Sequence, residues 1–188
     1  HHRNPFYSRP LKDSVMRILS NEKVYSGKVF NLYKTNLKDN DGSRMLRETV
    51  VHPGAVAIIP LISKNKVILV RQYRYATGKY IWELPAGTLG KREPPLACAK
   101  RELEEETGFA AGRIKKIMEF YTCPGFCTEK MHLYLAENLR PTAQKLDPDE
   151  KITYKAFSRS EIRHLVKINK IIDAKSLIGL ILWLQKKI

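Results

Sequence analysis

The sequence predicts an α/β protein: a mixed β-sheet sandwiched between helices, an α/β/α arrangement, preceded by a small N-terminal antiparallel β unit. Three observations carry this reading. Strand-like segments rich in β-branched and aromatic residues lie on both sides of one well-defined helix, and helices close the chain. The run "AVAIIPLI" (55–62) reads as a buried strand. The breaker "HPG" (52–54) separates it from a hairpin-like stretch before it.

The elements follow in order. "KVFNLYKTNL" and "SRMLRETVV" read as two strands of a hairpin over 28–51, joined by the turn chemistry of "KDNDG". A domain boundary is placed at 53/54, giving an N-terminal β unit (1–53) and a main domain (54–188). After "AVAIIPLI", the polar turn "SKNK" leads into "VILVRQY", and "IWEL" makes a short strand. "PAGTLGKREPP" reads as a loop. Pro94 and Pro95 fit only the first turn of a helix, so a helix is expected from Pro95 to Thr107 with Gly108 as its C-cap. "RIKKIMEFYT" and "MHLYLAEN" are strands around the loop "CPGFCTEK", and "KITYKAF" is another after the polar "LRPTAQKLDPDE". Ser158 and Glu161 form a capping box, and Asp173 caps a last helix with an expected apolar face of Leu177, Ile178, Ile181 and Leu184.

Composition narrows the function class. The chain has 188 residues, of which 43% are hydrophobic and 28% charged, as in a globular protein and not a disordered one. "GAVAIIPLI" and "LIGLILWL" are too short to span a bilayer. No signal-peptide pattern opens the chain, and His1-His2 reads as the remnant of a purification tag. Three cysteines do not make a disulfide framework and point to a reducing compartment, with the cytoplasm expected. The formal charge of +15 suits nucleic acid or small phosphate-bearing substrates alike, but no arm of five or more like charges is present.

Against that basic background, "RELEEETGF" (101–109) concentrates Glu102, Glu104, Glu105 and Glu106 on one helix, where like charges at helical spacing repel. At about 100° per residue, Glu102, Glu105 and Glu106 share one edge, next to a stripe of Leu96, Ala99 and Leu103 expected to face the sheet. Such an edge is either a solvated acidic face, softened by Arg101 pairing with Glu105, or a set of hard oxygen ligands for Mg²⁺ or Mn²⁺.

The longer stretch "GTLGKREPPLACAKRELEEETGF" (87–109) resembles the Nudix box: Gly, five residues, Glu, seven residues, then Arg-Glu-apolar-any-Glu-Glu-any-Gly-apolar. Every specified position matches. At ordinary residue usage such a coincidence arises on the order of once in a billion starts. The resemblance implies a hydrolase acting on a nucleoside diphosphate linked to another moiety. By the same resemblance Glu102, Glu105 and Glu106 hold the metal ions and the carbonyl of Ala86 completes the shell. Glu93 and Arg101 orient loop and helix, and Glu104 faces solvent.

Outside the box, Pro124 follows Phe109 by fifteen residues in "YTCPGFCTE". With "VVHPGAVAIIPL", "VRQYRY" and "WELPAGTL", it resembles the ADP-ribose pyrophosphatase subfamily from about Tyr25 to Gln185. That similarity implies Arg47, Glu48, His52, Arg74, Pro124 and Gly125 as substrate contacts, with Glu129 on the ribose side. It implies Glu105 and Glu150 as catalytic residues, with Glu150 the general base and Asp149 and Asp147 its neighbours in "LDPDEK". It also implies a homodimer that exchanges its N-terminal unit, with Phe30 or Tyr33 carried to the partner's adenine. Cys123 stands where the subfamily often has serine. Cys123 and Cys127 alone do not complete a zinc site and read as free thiols. Alternatives at this point are another nucleoside diphosphate sugar such as GDP-mannose, a triphosphorylated or capped RNA, or a ligand-sensing domain without catalysis. An intact carboxylate set argues against the last.

Overall fold

The computed structural model describes residues 16–146, Pro148 and 151–188. By internal contact they form two units: residues up to Gly54 together with Tyr121–Lys130, and Ala55–Phe120 together with Met131–Ile188. The division at 53/54 read from the sequence assigns 121–130 to the main domain instead.

The first unit is an antiparallel sheet of β1 (Met16–Ser26), β2 (Asn31–Asp39) and β3 (Arg44–Val51), in that order. β2 and β3 are the expected hairpin, closed by bonds from Asp39 N to Ser43 O and from Gly42 N to Asp39 O, with Gly42 at φ +91°. β1 is an addition. Its sequence, "MRILSNEKVYS", has little apolar alternation to read, and two register shifts against β2 break what there is. Backbone pairing with a neighbour, not burial, makes it a strand. Among the described strand residues of this sheet only Thr35 is buried, its hydroxyl donating to Asn21 Oδ1 at 2.7 Å. The loop 121–130 is stitched to β3: Val50 N donates to Phe126 O, and Thr128 N donates to Val50 O.

The second unit carries β4 (Ala55–Ser63), β5 (Lys66–Arg74), β6 (Lys79–Glu83), β7 (Ala86–Thr88), α1 (Pro95–Thr107), β8 (Phe109–Tyr121), β9 (Lys130–Pro141), β10 (Ile152–Ser158), α2 (Arg159–Lys167) and α3 (Ala174–Leu184). The sheet runs β10-β5-β4-β9-β8, with β6 on β5 and β7 on β4. β4 and β9 are parallel, while β4–β5, β5–β6, β5–β10 and β4–β7 are antiparallel, so the sheet is mixed as expected. β4 explains its own apolar run. Ala55, Ala57 and Ile59 join one core layer with Leu133, Leu180 and Trp183, and Val56 and Ile58 join the other with Cys98, Ala99 and Leu103.

Helix boundaries follow the local signals closely. α1 starts at Pro95, and Gly108 takes φ +69° while donating its N–H to Glu104 O. The Ser158–Glu161 capping box forms, and the Asp173 side chain accepts from Ser176 N. Helix faces depart from expectation. On α1 the stripe against the sheet is Cys98, Ala99 and Leu103, and Leu96 is exposed. On α3 the buried residues are Ser176, Gly179, Leu180 and Trp183; Leu177, Ile178 and Leu184 flank them and Ile181 faces outward. "LIGLILWL" is apolar on nearly every side, so periodicity cannot choose its inner face. Gly179 does: a Cβ there would come within 2.7 Å of Leu84 Cδ1, and only glycine lets the helix lie that close to the sheet. Among the described residues no helix is long and apolar enough to cross a membrane.

Candidate active site

The stretch expected to be a loop before α1 contains β7, and this strand organises the carboxylates. β7 pairs with β4 through Ala55–Thr88, Val56–Gly87 and Ala57–Ala86. Glu106 is 3% exposed and its Oε2 accepts from Ala86 N at 3.1 Å. The Glu102 carboxylate lies against Gly87, so close that a Cβ on Gly87 would sit 1.9 Å from its Cδ. Two of the predicted ligands thus converge on consecutive residues of one short strand, Ala86 and Gly87. Glu104 is exposed.

Arg101 gathers the remaining acids. Its Nε and Nη2 donate to Glu93 Oε1 and Oε2 at 2.9 and 3.0 Å, and its Nη1 lies 2.7 Å from Glu102 Oε1 and 2.8 Å from Glu105 Oε2. Glu93 Oε2 also accepts from Gly90 N, tying the loop to the helix. The Arg101 guanidinium thereby offsets the repulsion among the α1 carboxylates. Among the described residues no three His, Cys, Asp or Glu side chains surround one point. The donor chemistry nonetheless suits a hard divalent ion: the carboxylate oxygens of Glu102 and Glu106 lie beside the backbone of β7, where only a glycine at 87 leaves Glu102 room.

The Arg101 hydrogen bonds hold the Glu93 carboxyl at about 2, down from an ordinary 4.5. A depressed acid stabilises the fold above its unfolded value and loses that contribution as pH falls from about 4.5 towards 2. Arg101→Met is therefore expected to cost about 1 kcal/mol near neutrality. In urea unfolding the gap between variant and wild type should narrow steadily below pH 4.5. A gap independent of pH would remove Glu93 from the account.

The C-terminal end of α1 is also held. Lys145 N donates to Glu105 O, the Gln144 side chain donates to Glu106 O at 2.7 Å, and Thr142 N donates to Gly108 O. Nothing in a polar segment such as "PTAQK" signals this pairing in advance. Asp147, Asp149 and Glu150, the candidates for the general base, lie outside the described residues. Burial pushes the Cys98 thiol up to about 12, which keeps it a packing group. The described cysteines Cys98, Cys123 and Cys127 are all free.

Most of the residues expected to contact substrate lie in the first unit. Phe30 is exposed, its ring 5.8 Å from that of Tyr25, and Tyr33 has the Lys23 ammonium over it. Arg47 and Glu48 are exposed on β3, and Pro124 and Gly125 are exposed in the stitched loop. His52 Nδ1 is 3.7 Å from Glu129 Oε1, and Thr122 donates to the other Glu129 oxygen at 2.7 Å. Arg74, in the second unit, has a buried partner. Its Nε and Nη2 close on the buried Glu83 carboxylate at 2.7 and 2.8 Å. The reason is electrostatic: Glu83 is 2% exposed and draws the nearest guanidinium.

Comparison with known proteins fits this geometry. Residues 51–177 match the NUDIX domain. The chain belongs to the Nudix family. It is similar to the ADP-ribose pyrophosphatase of Bacillus subtilis (strain 168), 39% identical over 88% of this chain and 91% of that protein. The methanol dehydrogenase activator of Bacillus methanolicus is 38% identical over 87% of this chain and 89% of its own length. The GDP-mannose pyrophosphatase of Shigella flexneri is 33% identical over 85% and 91%. Among solved structures, the crystal structure of ADP compounds hydrolase superposes with a TM-score of 0.82 at 25% identity, covering 93% of this chain and 96% of the other. Nudix hydrolases generally need divalent cations, and this member carries the full carboxylate set of the box.

Proposed function

We propose that this Nudix hydrolase cleaves the diphosphate of ADP-ribose to AMP and ribose 5-phosphate in a Mg²⁺-dependent reaction. The observation that carries the chemistry is the meeting of Glu102 and Glu106 at Gly87 and Ala86. Glu102, Glu105, Glu106 and the Ala86 carbonyl would hold the ion. When bound, it neutralises diphosphate charge and lowers the pKa of a bound water. Arg101 holds Glu102 and Glu105 in place through Nη1. Glu150 takes the proton of the attacking water as one P–O bond forms and the bridging P–O bond breaks. Arg47, Glu48, His52, Arg74, Pro124, Gly125 and Glu129 contact the substrate.

The choice of sugar rests on the 39%-identical pyrophosphatase and on the Pro124 loop. The second reading, GDP-mannose, is favoured by the 33%-identical relatives. Steady-state assays against ADP-ribose, GDP-mannose and UDP-glucose decide between them. ADP-ribose is expected to show the highest kcat/KM, and a higher value for GDP-mannose would overturn the substrate while leaving the chemistry standing.

The working form we propose is a homodimer that exchanges its N-terminal sheet and brings Phe30 to the partner's adenine. That sheet has almost no core of its own and leaves Val24, Tyr25, Val29, Phe30 and Leu46 exposed. Light scattering should give twice the chain mass at micromolar concentration, and deleting residues 1–50 should abolish both dimerisation and tight substrate binding. A monomer at that concentration refutes it. Three free thiols fit a reducing compartment, the cytoplasm.

A further inference from the structure

We infer that Lys175, with Asp173 and Ser176 at the start of α3, is a positioning residue that sets the strand bearing Ala86 and Gly87 against the α1 carboxylates. The inference rests on the metal-site reading above.

It begins from a cost. Glu83 is 2% exposed, and a carboxylate taken out of water loses several kcal/mol unless cations and donors surround it. Burial by itself would raise the Glu83 carboxyl. The Arg74 hydrogen bonds and the Lys175 charge outweigh burial and hold it below the ordinary range. Arg74 approaches from β5. Lys175 approaches from α3, its side chain only 11% exposed, and binds Glu83 Oε2 at 2.5 Å and Asp173 Oδ2 at 2.9 Å. A lysine in the first turn of a helix has no intrinsic reason to leave water, and it opposes the positive end of the helix dipole. Two carboxylates hold it there.

The next residues continue the clamp. Leu84 N donates to Ser176 Oγ at 2.7 Å, and Ser176 Oγ donates to Asp173 Oδ2 at 2.5 Å. Pro85 O accepts from Ile58 N at 2.9 Å, and Ala86 N donates to Glu106 Oε2 at 3.1 Å. Four consecutive residues are thus fixed by α3 and β5, by α3 alone, by β4 and by α1. Because Pro85 fixes its own φ and its neighbours are bonded in place, a displacement at Glu83 or Leu84 passes to Ala86 and Gly87. There it moves the backbone against which Glu102 and Glu106 lie, and displacements of about 1 Å near reacting groups can cost about 100-fold.

The test uses Lys175→Met, which keeps the aliphatic stem, and Lys175→Arg, which restores the charge. Mn²⁺ binding is measured by electron paramagnetic resonance without substrate, alongside amide exchange of Leu84 and Ala86 and steady-state kinetics with ADP-ribose. Outer-shell partners of metal ligands typically contribute about 10–100-fold. Lys175→Met is expected to weaken Mn²⁺ binding about 10-fold and lower kcat similarly, with KM within about twofold and faster exchange at both amides. Lys175→Arg should recover at least half of each loss. Should Lys175→Met fail to fold, Ser176→Ala takes its place, since it removes the hydroxyl that accepts from Leu84 N and donates to Asp173 Oδ2, and it should shift Mn²⁺ binding in the same direction. Mn²⁺ affinity and exchange equal to wild type in the folded variant overturn the positioning role alone. A wild type that binds no Mn²⁺ overturns the metal-site reading and this inference with it.

Discussion

Glu106→Gln is expected to lower kcat at least about 100-fold while leaving the fold intact, because it removes a carboxylate from the proposed metal site. Glutamine is nearly isosteric, and its amide oxygen can still accept the Ala86 N–H that Glu106 Oε2 accepts now. Glu106 is almost fully buried on a helix edge already crowded with carboxylates, so loss of its charge relieves repulsion. Thermal unfolding should therefore show a melting temperature at or above that of wild type. Turnover above half of the wild-type value at saturating Mg²⁺ would sink the assignment of Glu106 to the metal.

A second large effect is expected from the smallest possible change, Gly87→Ala. The new methyl would overlap the Glu102 carboxylate, with 1.9 Å to Cδ and Oε1 and 2.5 Å to Oε2. The obstructing atoms are the flexible end of a side chain, so Glu102 swings away at a stability cost of about 1 kcal/mol or less. The chemistry does not tolerate that swing, because a ligand has left its place. kcat should fall by about 10-fold or more, with a raised Mg²⁺ requirement and nearly unchanged unfolding. Normal Mg²⁺ activation in this variant would mean that Glu102 is not a ligand in the working enzyme.

These two predictions differ in how far the sequence alone reaches them. Glu106 is legible: its place in "RELEEETGF" and its edge on the helix follow from spacing. Gly87 is legible as a required glycine of the box, but the reason for the requirement is not. It emerges only when β7 pairs with β4 and α1 folds over it. Arg101 falls between. Its i,i+4 bond to Glu105 is local geometry, whereas its fork onto Glu93 depends on the path of the loop before α1. On α3, where apolar residues surround the helix, periodicity gives no direction, and close approach at Gly179 supplies it. β1 is not legible in the sequence because its order comes from pairing with β2, not from any buried face.

By itself the sequence determined the bounds of α1, the caps that open α2 and α3 and the carboxylate spacing on α1, since each rests on interactions within about a turn or two of chain, and the order of strand-like and helical segments set the fold class. Tertiary structure decided which partners those side chains keep. Arg74 is the clearest case: its place at the end of a strand names no partner for it. The fold instead places buried Glu83 within reach of it and brings Lys175 to the same carboxylate from 92 residues away. A buried charge must be compensated by whatever the fold carries to it, and no local pattern in a chain encodes which residue that is.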